Sequence, residues 1–318
     1  MYEQEFLIFK EVAETGNMTL AAKRLHISQP SLSLQIQNLE NQYGAKFLER
    51  TNKGVTLTPA GKIFYQYACQ VIAIKKEAME QIAELDEDKR VLINIGATLT
   101  IGEYVLPSIF GHLYQVRPGI EFKAKIANTD SIAQEVLERR LNIGLIEGPV
   151  PVNRELVVEN FWQDELVVVV PYHHPWAGRT SVNLAELTKE RMITREVGSG
   201  TRKFMEIVLR ERGLDPGQLN ITMELGSTHA IKQVVSAGLG ITIISNLTVQ
   251  YECDQRIFKI LKIQDSPVYR PLNILTHAQT NQTKDERYFI DLLHNRTQLA
   301  KILMTDYYCA NQAKATAR

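Results

Sequence analysis

The hydrophobic pattern of this chain changes its period once, at the charged stretch Glu84-Leu85-Asp86-Glu87-Asp88-Lys89-Arg90. Before it, apolar residues recur every three to four positions, the spacing of helices. After it, short apolar runs alternate with helical stretches, which predicts mostly parallel sheets with helices on both faces. A chain of 318 residues with such a break is expected to fold as two or three domains. Hydrophobic residues are 44% and charged ones 23%, enough for substantial cores, which argues against disorder and against a fibrous chain.

In the first part, Phe6, Phe9, Val12 and Ala13 share one face of a helix that stops near Gly16. Thr19–Leu25 predicts a short second helix capped by Thr19. His26-Ile27 forms a tight turn, and Ser28-Gln29-Pro30 restarts a helix with serine as cap and proline in the first turn, where a missing N–H costs little. Leu32, Ile36 and Leu39 line its inner side. Two helices at a sharp angle, the second polar at its start, make a helix-turn-helix pattern. Phe47–Arg50 and Val55–Thr58 flank Thr51-Asn52-Lys53-Gly54 and predict a β-hairpin wing.

A recognition helix turns its first residues toward base edges in the major groove. Gln29 can pair with adenine through both halves of its amide, and Ser31, Ser33 and Gln35 are short or flexible donors and acceptors. Pro30 lies among them, and Arg50 and Lys53 on the wing are candidates for phosphate. A solvated face is the competing explanation for Gln29 and Ser33, and an ion pair with Glu49 that for Arg50. Ser28 is fully explained by capping.

Lysine plus arginine number 36, as do aspartate plus glutamate, and taken alone a net charge of zero argues against nucleic acid. Distribution reverses that inference. Residues 18–62 carry six basic side chains against two acidic ones, and the cancelling acids lie in the flanking helices. The balance predicts modest non-specific affinity, with sequence contacts and oligomerisation carrying more of the specificity.

Thr58-Pro59 opens a longer helix in which Phe64, Tyr67, Val71, Ile74, Ala78 and Leu85 follow heptad steps, interrupted at Gln81. Such a seam has no evident core in its own chain, so a partner helix and a homodimer are expected, the competing explanation being a long helix packed on its own domain.

Beyond residue 90, strands are predicted at 91–96, 120–126, 143–146, 166–170 and 272–275, with helices at 103–116, 132–140, 201–212 and 286–304 among others. Four strand-to-helix junctions carry hydroxyls: Thr98 to Gly102, Asn128 to Ser131, Gly198 to Arg202, and Ser227 to His229. Ligands of open α/β sheets bind beyond the carboxyl ends of strands, where helix N-termini favour anions. Arg202 or Lys232 would add charge. Ordinary helix capping is the competing explanation of each junction. Glu147 follows a strand end, where it would disfavour a simple dianion or pair with a ligand amine; Trp162 either lines the cleft or packs in the core.

Three cysteines, Cys69, Cys253 and Cys309, form neither a CxxC pair nor a cluster with histidine, so no disulfide framework and no metal site is expected. The longest apolar run, Leu166–Val170, has five residues where a membrane helix needs about 20. With an acidic start in place of a signal peptide, a cytoplasmic protein that does not enter a membrane is expected. His173-His174 lacks helical metal-ligand spacing, and Gly198-Ser199-Gly200 is not a nucleophile elbow. Catalytic residues and cofactors are therefore not expected, and an enzyme is the weaker hypothesis. So is a solute-binding protein, which the N-terminal module opposes.

The stretch Ala21-Ala22-Lys23-Arg24-Leu25-His26-Ile27-Ser28-Gln29-Pro30-Ser31-Leu32-Ser33 resembles the signature of LysR-type transcriptional regulators. The resemblance continues through Leu39-Glu40, Gly44, Phe47–Arg50, Leu57–Gly61 and Gly238–Ile241, and so spans essentially the whole chain. It implies an N-terminal winged helix-turn-helix domain at 1–58, a dimerising linker helix at 59–90 and an α/β effector domain at 91–318. That domain would have two Rossmann-like lobes, as in periplasmic binding proteins, lobe I at about 91–161 and 267–304 and lobe II at about 162–266. The family places a small-molecule effector between its lobes. This implies Thr100, Ser199 and Thr201, then Thr98 and Thr129, as effector contacts with Glu147 facing them. Double-stranded promoter DNA as partner and assembly into homotetramers are also implied. Leu34 and Gln37 depart from the basic residues common there, shifting the phosphate grip toward Arg50, Lys53 and Lys62.

Overall fold

A computed structural model describes residues 2–51, 54–83, 91–149, 152–264 and 266–303. The chain divides into two compact units, one beginning at Met1 and running to Glu87, the other taking in most of the chain from Asp88 onward.

The first unit comprises α1 (Tyr2–Thr15), α2 (Met18–Arg24), α3 (Gln29–Tyr43), β1 (Leu48–Thr51), β2 (Gly54–Leu57) and α4 (Pro59–Ala83). Phe9, Val12, Ala21, Leu32 and Leu39 are buried in its core. The ring of Phe64 stacks on Phe47 with centroids 4.5 Å apart and meets Phe9 edge-on at 5.0 Å, which fixes the start of α4 to the helical core. Phe64 thus belongs to this core rather than to the apolar seam predicted for α4. The rest of the seam is exposed: Tyr67, Val71 and Ile74, beside Ile63, Met79 and Ile82. Leu85 lies outside the described residues.

The cap of α2 is Asn17, not Thr19: its side chain accepts the N–H groups of Thr19 at 2.9 Å and Leu20 at 3.0 Å. Gly16, with φ +60°, ends α1 one residue earlier and leaves Asn17 extended, the geometry a cap requires. The same turn anchors the wing. Val55 N–H donates to the Gly16 carbonyl at 2.8 Å, and a Cβ on Gly54 would lie 2.5 Å from that oxygen.

The second unit starts with β3 (Val91–Ala97), α5 (Leu99–Tyr104), α6 (Leu106–Val116), β4 (Ile120–Ile126), α7 (Thr129–Leu137) and β5 (Ile143–Glu147). A long strand, β6 (Leu156–Pro171), leads to β7 (Ser181–Val182), α8 (Leu184–Leu187), β8 (Met192–Arg195), α9 (Gly200–Glu211), β9 (Ile221–Leu225), α10 (Thr228–Ser236) and β10 (Thr242–Ser245). The chain then forms α11 (Gln250–Asp254), β11 (Phe258–Ile263), β12 (Val268–His277) and α12 (Lys284–His294).

Strands pair in the order β4-β3-β5-β12-β6-β11-β7, with β10 also on β6 and β8 paired with β9. The outer pairs β3–β4, β3–β5 and β8–β9 are parallel, as βα alternation requires. The inner pairs are not: β12 runs antiparallel to β5 and β6, and β10 and β11 antiparallel to β6. The sheet is therefore mixed rather than mostly parallel. The first half of β6 pairs with β12 and its second half with β10 and β11, so β6 runs through both lobes. Ile93, Ile95, Leu113, Phe161 and Phe289 fill one core, and Leu166, Val168, Met205, Leu209 and Ile241 another.

Two predicted helices are broken. The helix expected at 103–116 is two, α5 and α6, because Pro107 has no N–H to continue the ladder across Val105. The last helix stops at Asn295, whose side chain accepts the N–H of Gln298 at 3.1 Å and starts a second helix at 296–303.

Candidate functional site

The strands β6 and β12 set Asp164 and Arg270 opposite one another in register. Both side chains are fully buried, and Arg270 Nε donates to Asp164 Oδ2 at 2.7 Å. Ser245 at the end of β10 donates to the other carboxylate oxygen at 2.6 Å. Burial pushes the Asp164 carboxyl up, against the pull of Arg270 and the Ser245 hydrogen bond.

From this pair the guanidinium reaches toward the starts of two helices. Nη1 donates to Thr201 Oγ at 2.8 Å, in the first turn of α9, and Nη2 to Thr100 Oγ at 3.3 Å, in the first turn of α5. Glu147 Oε1, at the end of β5, lies 3.9 Å from Nη1. Its other oxygen accepts a short hydrogen bond from the Thr98 hydroxyl, and its carbonyl accepts from Thr129 Oγ at 3.2 Å. Ser199, 3% exposed, precedes α9 but makes no capping hydrogen bond. Two N–H groups of Arg270 also remain without a hydrogen bond among the described residues.

Thr98, Thr100, Thr129, Glu147, Ser199 and Thr201 are therefore gathered at one place, all nearly excluded from solvent. Backbone closes the place tightly: Gly148, at φ +89°, faces the Gly200 carbonyl, where a Cβ would lie at 2.9 Å. The other sequence candidates for the cleft are used elsewhere. Ser227 caps α10, and Thr228 accepts from Arg195 at 3.4 Å. Arg202 pairs with Glu206 and Glu224, and Lys232 with Glu252 at 2.6 Å. Trp162 packs against the core that holds Phe161.

Arg270 and Asp164 were not legible as site residues. Both lie just outside the apolar runs that marked their strands, and nothing local in the sequence shows that they become partners 106 positions apart.

In the first unit, Ser28 caps α3 by accepting from Ser31 N–H at 3.3 Å, and Pro30 occupies the first turn. Gln29, Pro30 and Ser31 are exposed, Ser33 and Gln35 half-buried. Gln29 donates to Ser33 at 3.4 Å and Gln35 to Ser31 at 3.3 Å, which aligns the four in two i,i+4 rows on the open face of the helix. A groove of about 540 Å³ beside them is lined by Pro30, Ser33, Leu34, Gln37, Lys46 and Val55. Glu40 joins α3 to the wing, accepting from Phe47 N–H at 3.0 Å, Leu48 N–H at 3.2 Å and Lys46 Nζ at 2.6 Å. Burial pushes its carboxyl up, but these donors together hold it below its ordinary value. Arg50 lies on β1, paired with Val55; Lys53 lies outside the described residues.

Among the described residues no helix is long and apolar enough to cross a membrane, and no cluster of His, Cys, Asp and Glu is placed to hold a metal ion.

Comparison with known proteins identifies the family of each part of the chain. Residues 4–62 match the family described as bacterial regulatory helix-turn-helix protein, lysR family, and residues 87–298 match the LysR substrate binding domain. The HTH-type transcriptional regulator CysL of Bacillus subtilis (strain 168) is 34% identical over 298 residues, covering 94% of this chain and 98% of its own. Among solved structures, full-length CbnR complexed with its target DNA aligns with a TM-score of 0.68 at 20% identity, over 94% of this chain and 100% of that one. The CcmR regulatory domain of Synechocystis PCC6803, in complex with 2-PG, aligns with a TM-score of 0.59 at 28% identity, over 65% of this chain and 97% of that domain. The chain belongs to the LysR family, and is a transcriptional regulator with an effector-binding domain rather than an enzyme.

Proposed function

We propose that this regulator reads promoter DNA with the exposed start of α3 and responds to a small anionic effector held where Arg270 meets the first turns of α5 and α9. Residues 1–58 form the reader, 59–90 the dimerising helix and 91–318 the sensor. Gln29, Pro30, Ser31, Ser33 and Gln35 face the bases, and Arg50 and Lys53 hold phosphate. The exposed row Ile63, Tyr67, Val71 and Ile74 on α4 supports pairing with a second copy, and pairs of dimers form tetramers. The protein works in the cytoplasm, where promoter DNA is found.

One observation carries the effector site. Hydroxyls from segments far apart in sequence converge on one buried guanidinium that keeps two N–H groups unused. A capping role does not account for Thr201, Thr100 or Ser199, whose oxygens face the guanidinium or cap nothing. The proposed contacts are Thr98, Thr100, Thr129, Ser199 and Thr201, with Glu147 beside them. The CcmR regulatory domain, of similar fold, is in complex with the small anion 2-PG, which supports an anionic effector here. An effector that fits only one arrangement of the lobes shifts the population toward it, by as much as its affinity differs between arrangements.

Footprinting the duplex upstream of the protein's own gene, with and without acetate, tests the reading. A protected segment whose length changes with an anion supports it. Loss of that response in Thr201→Val, with DNA binding kept, locates the effector. Absence of specific protection would overturn the DNA assignment.

A further inference from the structure

The charges around Arg270 run against an effector that is simply a strong anion. One buried cation faces two carboxylates: Asp164 from β6, in direct contact, and Glu147 from β5, at 3.9 Å. Only neutral hydroxyls reach it from α5 and α9. Asp164 is already committed, held by Arg270 on one oxygen and Ser245 on the other. Glu147 is not: among the described residues its only side-chain donor is Thr98, and it stands beside the Nη1 end of the guanidinium.

We propose that Glu147 is the specificity-determining residue of the effector site, a charge filter that admits ligands of no more than one net negative charge and rejects dianions. This rests on the effector site proposed above and narrows its ligand class. A ligand carboxylate would take the unused N–H groups of Arg270 together with the Ser199 and Thr201 hydroxyls. A second negative charge on the same ligand would stand against the Glu147 carboxylate in a place where both are stripped of water, and like charges there repel strongly. An ammonium on the ligand would instead be attracted to Glu147, so monocarboxylates and amino-acid-like zwitterions fit.

The test compares acetate, a monoanion, with sulfate, a dianion, by thermal shift of the full chain at constant ionic strength. The wild type is expected to show a saturable rise in Tm with acetate and none with sulfate. Glu147→Gln keeps an acceptor for Thr98 and is expected to gain saturable sulfate binding, about tenfold or more tighter than wild type. Adding Thr201→Val should abolish that gain. Glu147→Met repeats the experiment if the glutamine variant does not fold. Equal, saturable responses of the wild type to both anions would overturn the filter and leave the effector site standing. No response to either anion in any variant would overturn both. A sulfate gain that survives Thr201→Val would place the ion elsewhere and also overturn the filter.

Discussion

Arg270 and Asp164 join the two strands that connect the lobes, through an ion pair 2.7 Å long with neither side chain exposed. A pair so far from water is costly to break one-sidedly, because the surviving charge keeps its desolvation penalty and loses its partner. Asp164→Leu is therefore expected to destabilise the effector domain by about 3–5 kcal/mol. The double variant Asp164→Leu/Arg270→Met should recover much of that loss, since no uncompensated charge remains. Urea unfolding followed by near-ultraviolet circular dichroism measures both. Equal losses in the single and double variants would show that the pair is not what holds this junction.

The approach of Gly200 to Glu147 gives a steric test of lobe closure. A Cβ at residue 200 would sit 2.4 Å from the Glu147 carbonyl oxygen and 3.1 Å from Thr129 Oγ, and the carbonyl belongs to backbone at the end of a strand. Gly200→Ala should hold the lobes apart there, weaken any effector response and speed amide exchange at residues 147–149 and 199–201. Gly111→Ala is the matching control. It lies within α6 with nothing within 4 Å of its added Cβ, and should stabilise by about 0.5–1 kcal/mol through helix propensity alone. Unchanged exchange in Gly200→Ala would refute closure at this contact.

How much of this was legible in the sequence depends on how local the cause is. Ser28-Gln29-Pro30 marks the start of α3 because capping acts within three residues, and the hydroxyl-rich starts of α5 and α9 are visible for the same reason. The displaced cap at Asn17 was missed because Gly16 decides it by ending α1. The extent of β6, 16 residues where five were expected, was hidden because its first half shows no alternation, Val157, Val158, Glu159 and Asn160 all being exposed. Arg270 was hidden for a deeper reason. A charged residue becomes buried only if its partners are delivered by other strands, and those pairings are tertiary facts.

His26 occupies the left-handed region, φ +55°, in the turn between α2 and α3. A side chain with a Cβ pays roughly 1 kcal/mol there, which glycine avoids, although glycine loses more freedom on folding. His26→Gly is expected to raise the stability of the first unit, by up to about 1 kcal/mol, and to leave promoter affinity unchanged. Thermal unfolding and a binding isotherm check this. A loss of affinity at unchanged stability would mean that the imidazole itself touches DNA.

Glu40 ties the wing to the recognition helix, and its carboxyl is held below the ordinary value in the folded protein. The ionised form is thus favoured by folding. Its contribution is present above the pKa of the unfolded chain and fades as pH falls through the lower folded value. Glu40→Gln should flatten the acid limb of the stability profile for this unit and loosen the wing, read as faster exchange of the Phe47 and Leu48 amides. An acid limb identical to that of the wild type would remove Glu40 from the account.

The two groups proposed to meet DNA predict opposite kinds of defect. Gln29 stands exposed in the first turn of α3, one helical turn from Ser33, where an amide can hydrogen-bond a base edge. Gln29→Ala should cost about 1–3 kcal/mol on the preferred duplex and little on a scrambled one, so discrimination collapses. Lys53 offers only charge. Lys53→Ala should weaken both duplexes alike and reduce the slope of log K against log salt by about 1. Competition binding on both duplexes across a salt series separates the two. If Gln29→Ala keeps full discrimination, the bases are read by Ser31, Ser33 and Gln35 without it. If Lys53→Ala leaves the salt slope unchanged, the phosphate contacts lie elsewhere, with Arg50 and Lys62 the next residues to substitute.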